Sequence, residues 1–166
     1  MRKFGLALML SLAVTTVSLP LAQAKYGVTV VEQNKQLNFA TLKSYSWTDT
    51  QTAMLTAVEK QIIAAVDKEL TSLGLTKAAQ GPGDVIVNYQ AARRSDVDTK
   101  SAPTATGMRD QISVGTLTVR LLDPKTRARV LELRLDKPID TTPGQSETVI
   151  NGAVAELFTK YPTKQK

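Results

Sequence analysis

The chain has 166 residues, of which 42% are hydrophobic and 22% are charged, and its net charge is +6. That length accommodates one domain, and so mild a positive charge does not indicate a nucleic-acid partner. The sequence contains no Cys and no His. Their absence excludes disulfides, thiol nucleophiles, imidazole metal ligands and nucleophiles that need a His base.

The N-terminus has the three-part layout of a secretory signal peptide. Met1-Arg2-Lys3 is basic, residues 4–19 are uncharged and largely apolar, and Ala22-Gln23-Ala24 fits a signal-peptidase site. The apolar run is short for a bilayer-spanning helix, which needs roughly 20 residues. We therefore predict a signal peptide over residues 1–24 and a single exported domain over residues 25–166, with no transmembrane segment after cleavage.

The first half of that domain predicts two strands and a helix. Val28 to Val31 is β-branched, and Phe39, Tyr45 and Trp47 recur on odd positions, a period of two that is typical of a half-buried strand. An apolar stripe with steps of three and four then predicts an amphipathic helix; it comprises Leu55, Val58, Ile62, Ala65, Val66, Leu70 and Leu73. Either Thr48 with Gln51 or Thr56 with Glu59 fits a capping box, and Gly74 fits a left-handed C-terminal cap.

The second half predicts three strands and a second helix. Residues 84–91 alternate as a strand, and the polar residues 93–110 predict a mobile loop. Residues 112–122 and 128–135 predict a hairpin in which paired residue numbers sum to 250, so that Leu117 faces Leu133. Thr142 and Pro143 fit the start of a helix whose apolar stripe runs from Val149 to Tyr161. Together these elements predict an α+β two-layer sandwich, with an antiparallel sheet of four to five strands and both helices on one face.

No motif specifies a reaction, so we predict no catalytic residues, no cofactor and no metal. Asp96-Val97-Asp98 lacks the remaining ligands of a calcium loop. Two groups of side chains remain as candidate sites, each with a simpler structural interpretation. The aromatic residues could line a pocket or belong to the core; they are Phe39, Tyr45, Trp47 and Tyr89. The hairpin cations could contact an anionic surface or form a solvated turn; they are Lys125, Arg127 and Arg129.

The order of several motifs resembles domain-of-unknown-function family 4136, a group of bacterial envelope proteins. Residues 38–47 are similar to its opening "F-x-x-Y-x-T-Y-x-W", and residues 84–89 to its strand "D-L-x-V-x-Y". Residues 115–123 are similar to "G-T-L-x-V-x-L-x-D", and Tyr161-Pro162 to the closing "F-P". Family members are commonly lipoproteins, but this chain has no Cys to acylate. The resemblance implies a fold and an envelope location only, because the family brings no established activity.

The leading functional interpretation is a non-catalytic periplasmic module that binds an envelope component, namely a protein, a lipid or a polymer. The alternative is a small-molecule binding protein with a pocket between sheet and helices, lined by Trp47 and Tyr89. An enzyme is the third and weakest interpretation, since nothing places a nucleophile beside a base.

Overall fold

The computed structural model describes residues 26–48, 56–139, 142 and 144–164, so the predicted signal peptide lies outside the described residues. The strands are β1 (Gly27–Gln33), β2 (Ser44–Trp47), β3 (Thr76–Lys77), β4 (Val85–Val97), β5 (Gln111–Leu122) and β6 (Arg129–Pro138). The helices are α1 (Ala57–Ser72) and α2 (Ser146–Phe158).

The strands form one mixed sheet of six strands in the order β1-β6-β5-β4-β2-β3. The α+β prediction is confirmed, but the prediction of an antiparallel sheet of four to five strands is wrong. β2 runs parallel to both β3 and β4, because α1 carries the chain back along the sheet before β4 begins and strands joined by such a crossover are parallel. β3 has only two residues, too few to produce a recognisable pattern.

α1 begins at the second of the two candidate capping boxes and ends at the predicted glycine cap. The backbone N–H of Thr56 donates to the Glu59 carboxylate at 2.7 Å, and the backbone N–H of Glu59 donates to the Thr56 hydroxyl, which completes the capping box. At the other end Gly74 has φ +87°, and the N–H of Leu75 returns to the carbonyl of Leu70. The chain therefore turns sharply into β3, and Leu75 is buried in the core.

The structure differs from the prediction in the register of the β5–β6 hairpin and in the length of the loop before it. Paired residues in β5 and β6 sum to 252, so Leu117 faces Leu135 and Val119 faces Leu133. The sum differs from the predicted one by two, an even number, which keeps the same side chains on the core face. A bulge beside Leu122 accounts for one of those two residues, since Leu122 pairs with Arg129. The segment 93–110 is also shorter as a loop than predicted, because β4 continues through Val97.

The core lies between one face of the sheet and the two helices. Alternate residues of β4, β5 and β6 meet the apolar stripes of both helices in a single cluster. Its members from the sheet include Val85, Val87, Tyr89, Leu117, Val119, Leu121, Leu131, Leu133 and Leu135; those from the helices include Ile62, Val66, Leu70, Val154, Leu157 and Phe158. The opposite sheet face carries most of the charged side chains.

Candidate functional site

A cavity of about 500 Å³ lies between the helices and the sheet, at the N-terminal ends of α1 and α2. We call this part of the helix–sheet interface the cavity end. The wall is largely apolar and is formed by Val58, Ile62, Ala91, Leu117, Leu135, Ile139, Val149, Ile150 and Ala153, with Ala92, Arg93, Gly115, Thr116, Lys137, Thr142, Gly144 and Ser146 completing the lining.

Small side chains leave this space open. Ala91 and Gly115 occupy facing strands, and Ala153 occupies the adjacent turn of α2. Gly115 also has a tight neighbour, since a Cβ at this position would lie 2.9 Å from Cγ2 of Ile139. The cavity therefore follows from residue size along β4, β5 and α2, where larger residues would fill the interface.

The opposite end of the interface is filled by aromatic side chains, and we call it the packed end. Phe39 contacts the ring of Tyr161 edge-on at 5.8 Å, and Phe158 stacks on the same ring at 6.1 Å. Tyr45 and Leu70 are buried in the same core cluster. Among the described residues the Tyr161 hydroxyl has no hydrogen-bond partner, and burial raises the pKa of Tyr161 to about 12.

The four aromatic residues singled out in the sequence lie outside the cavity lining. Phe39, Tyr45 and Tyr89 are buried in the core cluster, and Trp47 is half-buried against it. The Trp47 Nε1–H and the Tyr45 hydroxyl both donate to Oδ1 of Asp67 at 2.8 Å, while the Trp47 and Tyr89 rings meet edge-on. Burial, followed by the neighbouring Asp67 carboxylate, raises the pKa of Tyr45. These contacts connect β2 to α1 and are structural.

The predicted cationic turn is at the packed end, between β5 and β6. Its backbone is held by Asp123, whose carboxylate accepts hydrogen bonds from the backbone N–H groups of Lys125 and Thr126. Arg127 adopts φ 60°. Arg129 is half exposed and its charge is paired, because its guanidinium forms ion pairs with Glu132 at 2.7 Å and with Glu32 at 2.9 Å.

Of the described residues, two cationic side chains and no acidic one line the cavity end. Lys137 forms an ion pair with Glu156 at 2.6 Å. Arg93 is exposed, and its side chain forms no ion pair with any carboxylate in the part of the chain that the structure describes. The sequence assigned Arg93 to a loop, so its place at the mouth of the cavity was not foreseen.

A cluster of charged side chains lies on the opposite face of the strands that line the cavity. Asp136 accepts hydrogen bonds from Arg134 at 2.6 Å, from Arg94 at 2.9 Å and from Thr116 at 2.6 Å. Hydrogen bonding from Arg134, supported by Thr116 and Arg94, holds the pKa of Asp136 well below its usual value. The cluster joins β4, β5 and β6. Its sequence signal is the charge at alternate positions, Arg94 with Asp96 and Arg134 with Asp136.

The polar groups of the cavity lining are few. Among the described residues, the lining has the hydroxyl groups of Thr116, Thr142 and Ser146 and no carboxylate. Within the described ranges, no three acidic side chains come close enough together to hold a metal ion. The same ranges contain no helix that is long and apolar enough to cross a membrane.

The fold and the cavity define a two-layer α+β module with an apolar space between its layers. The chain belongs to the family described as a domain of unknown function, DUF4136, which matches residues 29–163. The family identified from the sequence motifs is therefore confirmed. No curated protein matches the chain in sequence.

Solved structures from two bacteria share the fold. A PDZ domain protein from Parabacteroides distasonis has a TM-score of 0.54 and 15% identity, over 85% of this chain and 36% of that protein. PelC from Paraburkholderia phytofirmans, described as a dodecamer, has a TM-score of 0.52 and 12% identity, over 81% of this chain and 95% of PelC. This chain thus spans only about a third of the first of these structures. Identities this low establish a common fold alone.

Proposed function

We propose that this protein is a non-catalytic module of the bacterial envelope that binds a small amphipathic ligand in the cavity between its helices and its sheet. The cavity carries the proposal: its volume of about 500 Å³ is within the range of roughly 300–1,000 Å³ that small-molecule sites occupy. Its apolar wall and few polar groups are also typical of such sites. The envelope location rests on the signal-peptide pattern of residues 1–24.

A pair of leucine substitutions on α2 tests the proposal. Ala153 lines the cavity, whereas Ala155, two residues further along the same helix, is exposed to solvent. Ala153→Leu fills the space where a ligand would lie, and Ala155→Leu adds the same side chain outside it. We expect Ala153→Leu also to stabilise the fold by about 0.5–2 kcal/mol, because it fills a cavity.

The measurement uses the neutral fluorescent probe N-phenyl-1-naphthylamine. Wild type and Ala155→Leu should bind it saturably at one site, and Ala153→Leu should bind it at least tenfold more weakly. Native mass spectrometry of the protein purified from the periplasm should show a bound small molecule that Ala153→Leu lacks. Equal probe binding by the two variants, or no binding by wild type, would remove the cavity from consideration.

A second candidate function is assembly with further copies through the free edge of β1. Among the described strands, β1 pairs only with β6, and its bulged residue Val31 is 50% exposed. An edge strand with exposed apolar side chains is a template for pairing with another strand, and the structural neighbour PelC is described as a dodecamer. Sedimentation velocity of the purified protein tests this function. Val31→Lys should convert an oligomer to a monomer, whereas a wild type that is monomeric throughout would exclude assembly.

A further inference from the structure

Arg93 lies at the mouth of the cavity. Arg94, the next residue of β4, lies on the opposite face of the sheet. Val85, Val87, Tyr89 and Ala91 of β4 face the helices, and Arg93 is the next residue of that row, since side chains alternate along a strand. Arg93 is both exposed and part of the cavity lining. Its aliphatic stem can therefore cover apolar wall while the guanidinium stays in water.

The neighbouring cations are neutralised, and Arg93 is not. Arg94 pairs with Asp136 at 2.9 Å and with Asp96 at 3.1 Å on the opposite sheet face. Lys137 pairs with Glu156. Among the described residues, Arg93 has no such partner and the lining contains no acidic side chain. In this part of the chain, the mouth of the cavity thus presents the positive charge of Arg93 without a paired carboxylate.

We infer that the cavity selects a single-chain amphiphile with an anionic headgroup, such as a fatty acid, and that Arg93 is the residue that recognises the headgroup. The inference rests on the proposed function and adds the chemical class of the ligand. The hydrocarbon chain occupies the apolar space, and a carboxylate matches the planar, two-donor geometry of a guanidinium. The cavity volume suits one chain.

The test compares ligands of one chain length and different headgroup charge. Isothermal titration calorimetry of wild type, below the critical micelle concentration, should give at least tenfold tighter binding for dodecanoate than for dodecan-1-ol. Dodecyltrimethylammonium should bind more weakly than the alcohol. In Arg93→Gln the dodecanoate affinity should fall to that of the alcohol, while the alcohol affinity remains as in wild type.

Arg94→Gln is the matched control, because it removes the same charge from the adjacent residue on the other sheet face. It should retain the preference for dodecanoate. Equal affinity of wild type for dodecanoate and dodecanol, or a preference that persists in Arg93→Gln, overturns the inference and leaves the cavity as a neutral apolar site. Absence of binding by all three ligands instead rejects the proposed function.

A membrane lipid offers the same anionic headgroup and is distinguished by a separate arm. Wild type is incubated with vesicles of diacylphosphatidylglycerol, isolated again and weighed by native mass spectrometry. We expect no lipid adduct, since a cavity of this volume accommodates one chain. A bound diacyl lipid would overturn the assignment to a free single-chain ligand.

Discussion

The two ends of the helix–sheet interface are built from the same elements and packed to different degrees. At the packed end, Phe39 and Phe158 both contact the ring of Tyr161, and Tyr45 and Leu70 are almost fully buried. At the cavity end, alanine and glycine occupy equivalent strand and helix positions and leave about 500 Å³. Apolar packing is the dominant favourable contribution to folding, so the packed end stabilises the domain and the cavity end is free to bind.

Residues on α1 test this difference most directly. Leu70 is fully buried at the packed end, and Ile62, two turns earlier, is buried but borders the cavity. Leu70→Ala should lower the free energy of unfolding by about 4–5 kcal/mol and Ile62→Ala by about 2–3 kcal/mol, because the Ile62 side chain already lacks neighbours on one side.

Urea denaturation of both variants at constant pH provides the measurement. Equal losses of stability would show that the two ends are packed alike and would contradict the interpretation of the cavity as open space.

The charged cluster around Asp136 is expected to hold the cavity end together from the other sheet face. In the folded state, hydrogen bonds from Arg134 and then from Thr116 and Arg94 lower the pKa of the Asp136 carboxyl group from its ordinary value of 3.8. A carboxyl group with a lowered folded pKa stabilises the fold at pH values above its unfolded pKa, and this contribution is lost as the pH falls toward the folded value. Stability should therefore decrease as the pH drops below about 4.

Asp136→Asn should remove about 1.5–3 kcal/mol at neutral pH, because hydrogen bonds to a charged group are lost, and should flatten the acid limb of the pH profile. Hydrogen exchange should increase mainly in the strand segments around Thr116 and Leu135. Asp96→Asn is the control, since Asp96 pairs with Arg94 alone among these three partners. An unchanged acid limb in Asp136→Asn would contradict the assignment.

Local features of the fold were predictable from sequence, whereas features that depend on distant pairing were not. The capping box of Thr56 and the C-terminal glycine of α1 follow from residues within one turn of each other. The parallel placement of β2 beside β4 and the register of the β5–β6 hairpin depend on pairing between distant segments, which neighbouring residues do not encode.

The candidate site was missed for a related reason. Arg93 and Arg94 lie in a polar stretch that resembles a loop by composition. In the structure this stretch is part of β4 and pairs with β5, and Arg94 also forms an ion pair with Asp136, about 40 positions away. Large aromatic residues were candidates for a pocket lining, but three of them are buried in the core and Trp47 packs against it. The cavity arises where side chains are small, and Ala91, Gly115 and Ala153 are distant in sequence.

Tyr161 allows a smaller test of the packed end. Its hydroxyl is buried and has no hydrogen-bond partner among the described residues, and an unsatisfied buried polar group is unfavourable. Tyr161→Phe keeps the ring contacts with Phe39 and Phe158 and removes that hydroxyl. We expect the free energy of unfolding to rise by about 1 kcal/mol, measured by thermal and urea denaturation. A loss of stability would indicate that the hydroxyl has a partner.

A weak, salt-sensitive attraction to anionic surfaces is expected at the hairpin turn of the packed end. Arg129 is occupied by Glu32 and Glu132, which leaves Lys125 and Arg127 as its solvent-facing cations. Each cation near an anionic membrane contributes about 1 kcal/mol, so attraction of about 2 kcal/mol is expected, and salt screening over about 8 Å weakens it further.

Co-sedimentation should show slight binding to anionic vesicles at low salt, none to neutral vesicles, and none for Lys125→Gln with Arg127→Gln. Arg93→Gln, at the far end of the interface, should sediment as wild type. If Arg93→Gln instead abolishes sedimentation, the cavity end, rather than the packed end, contacts the membrane.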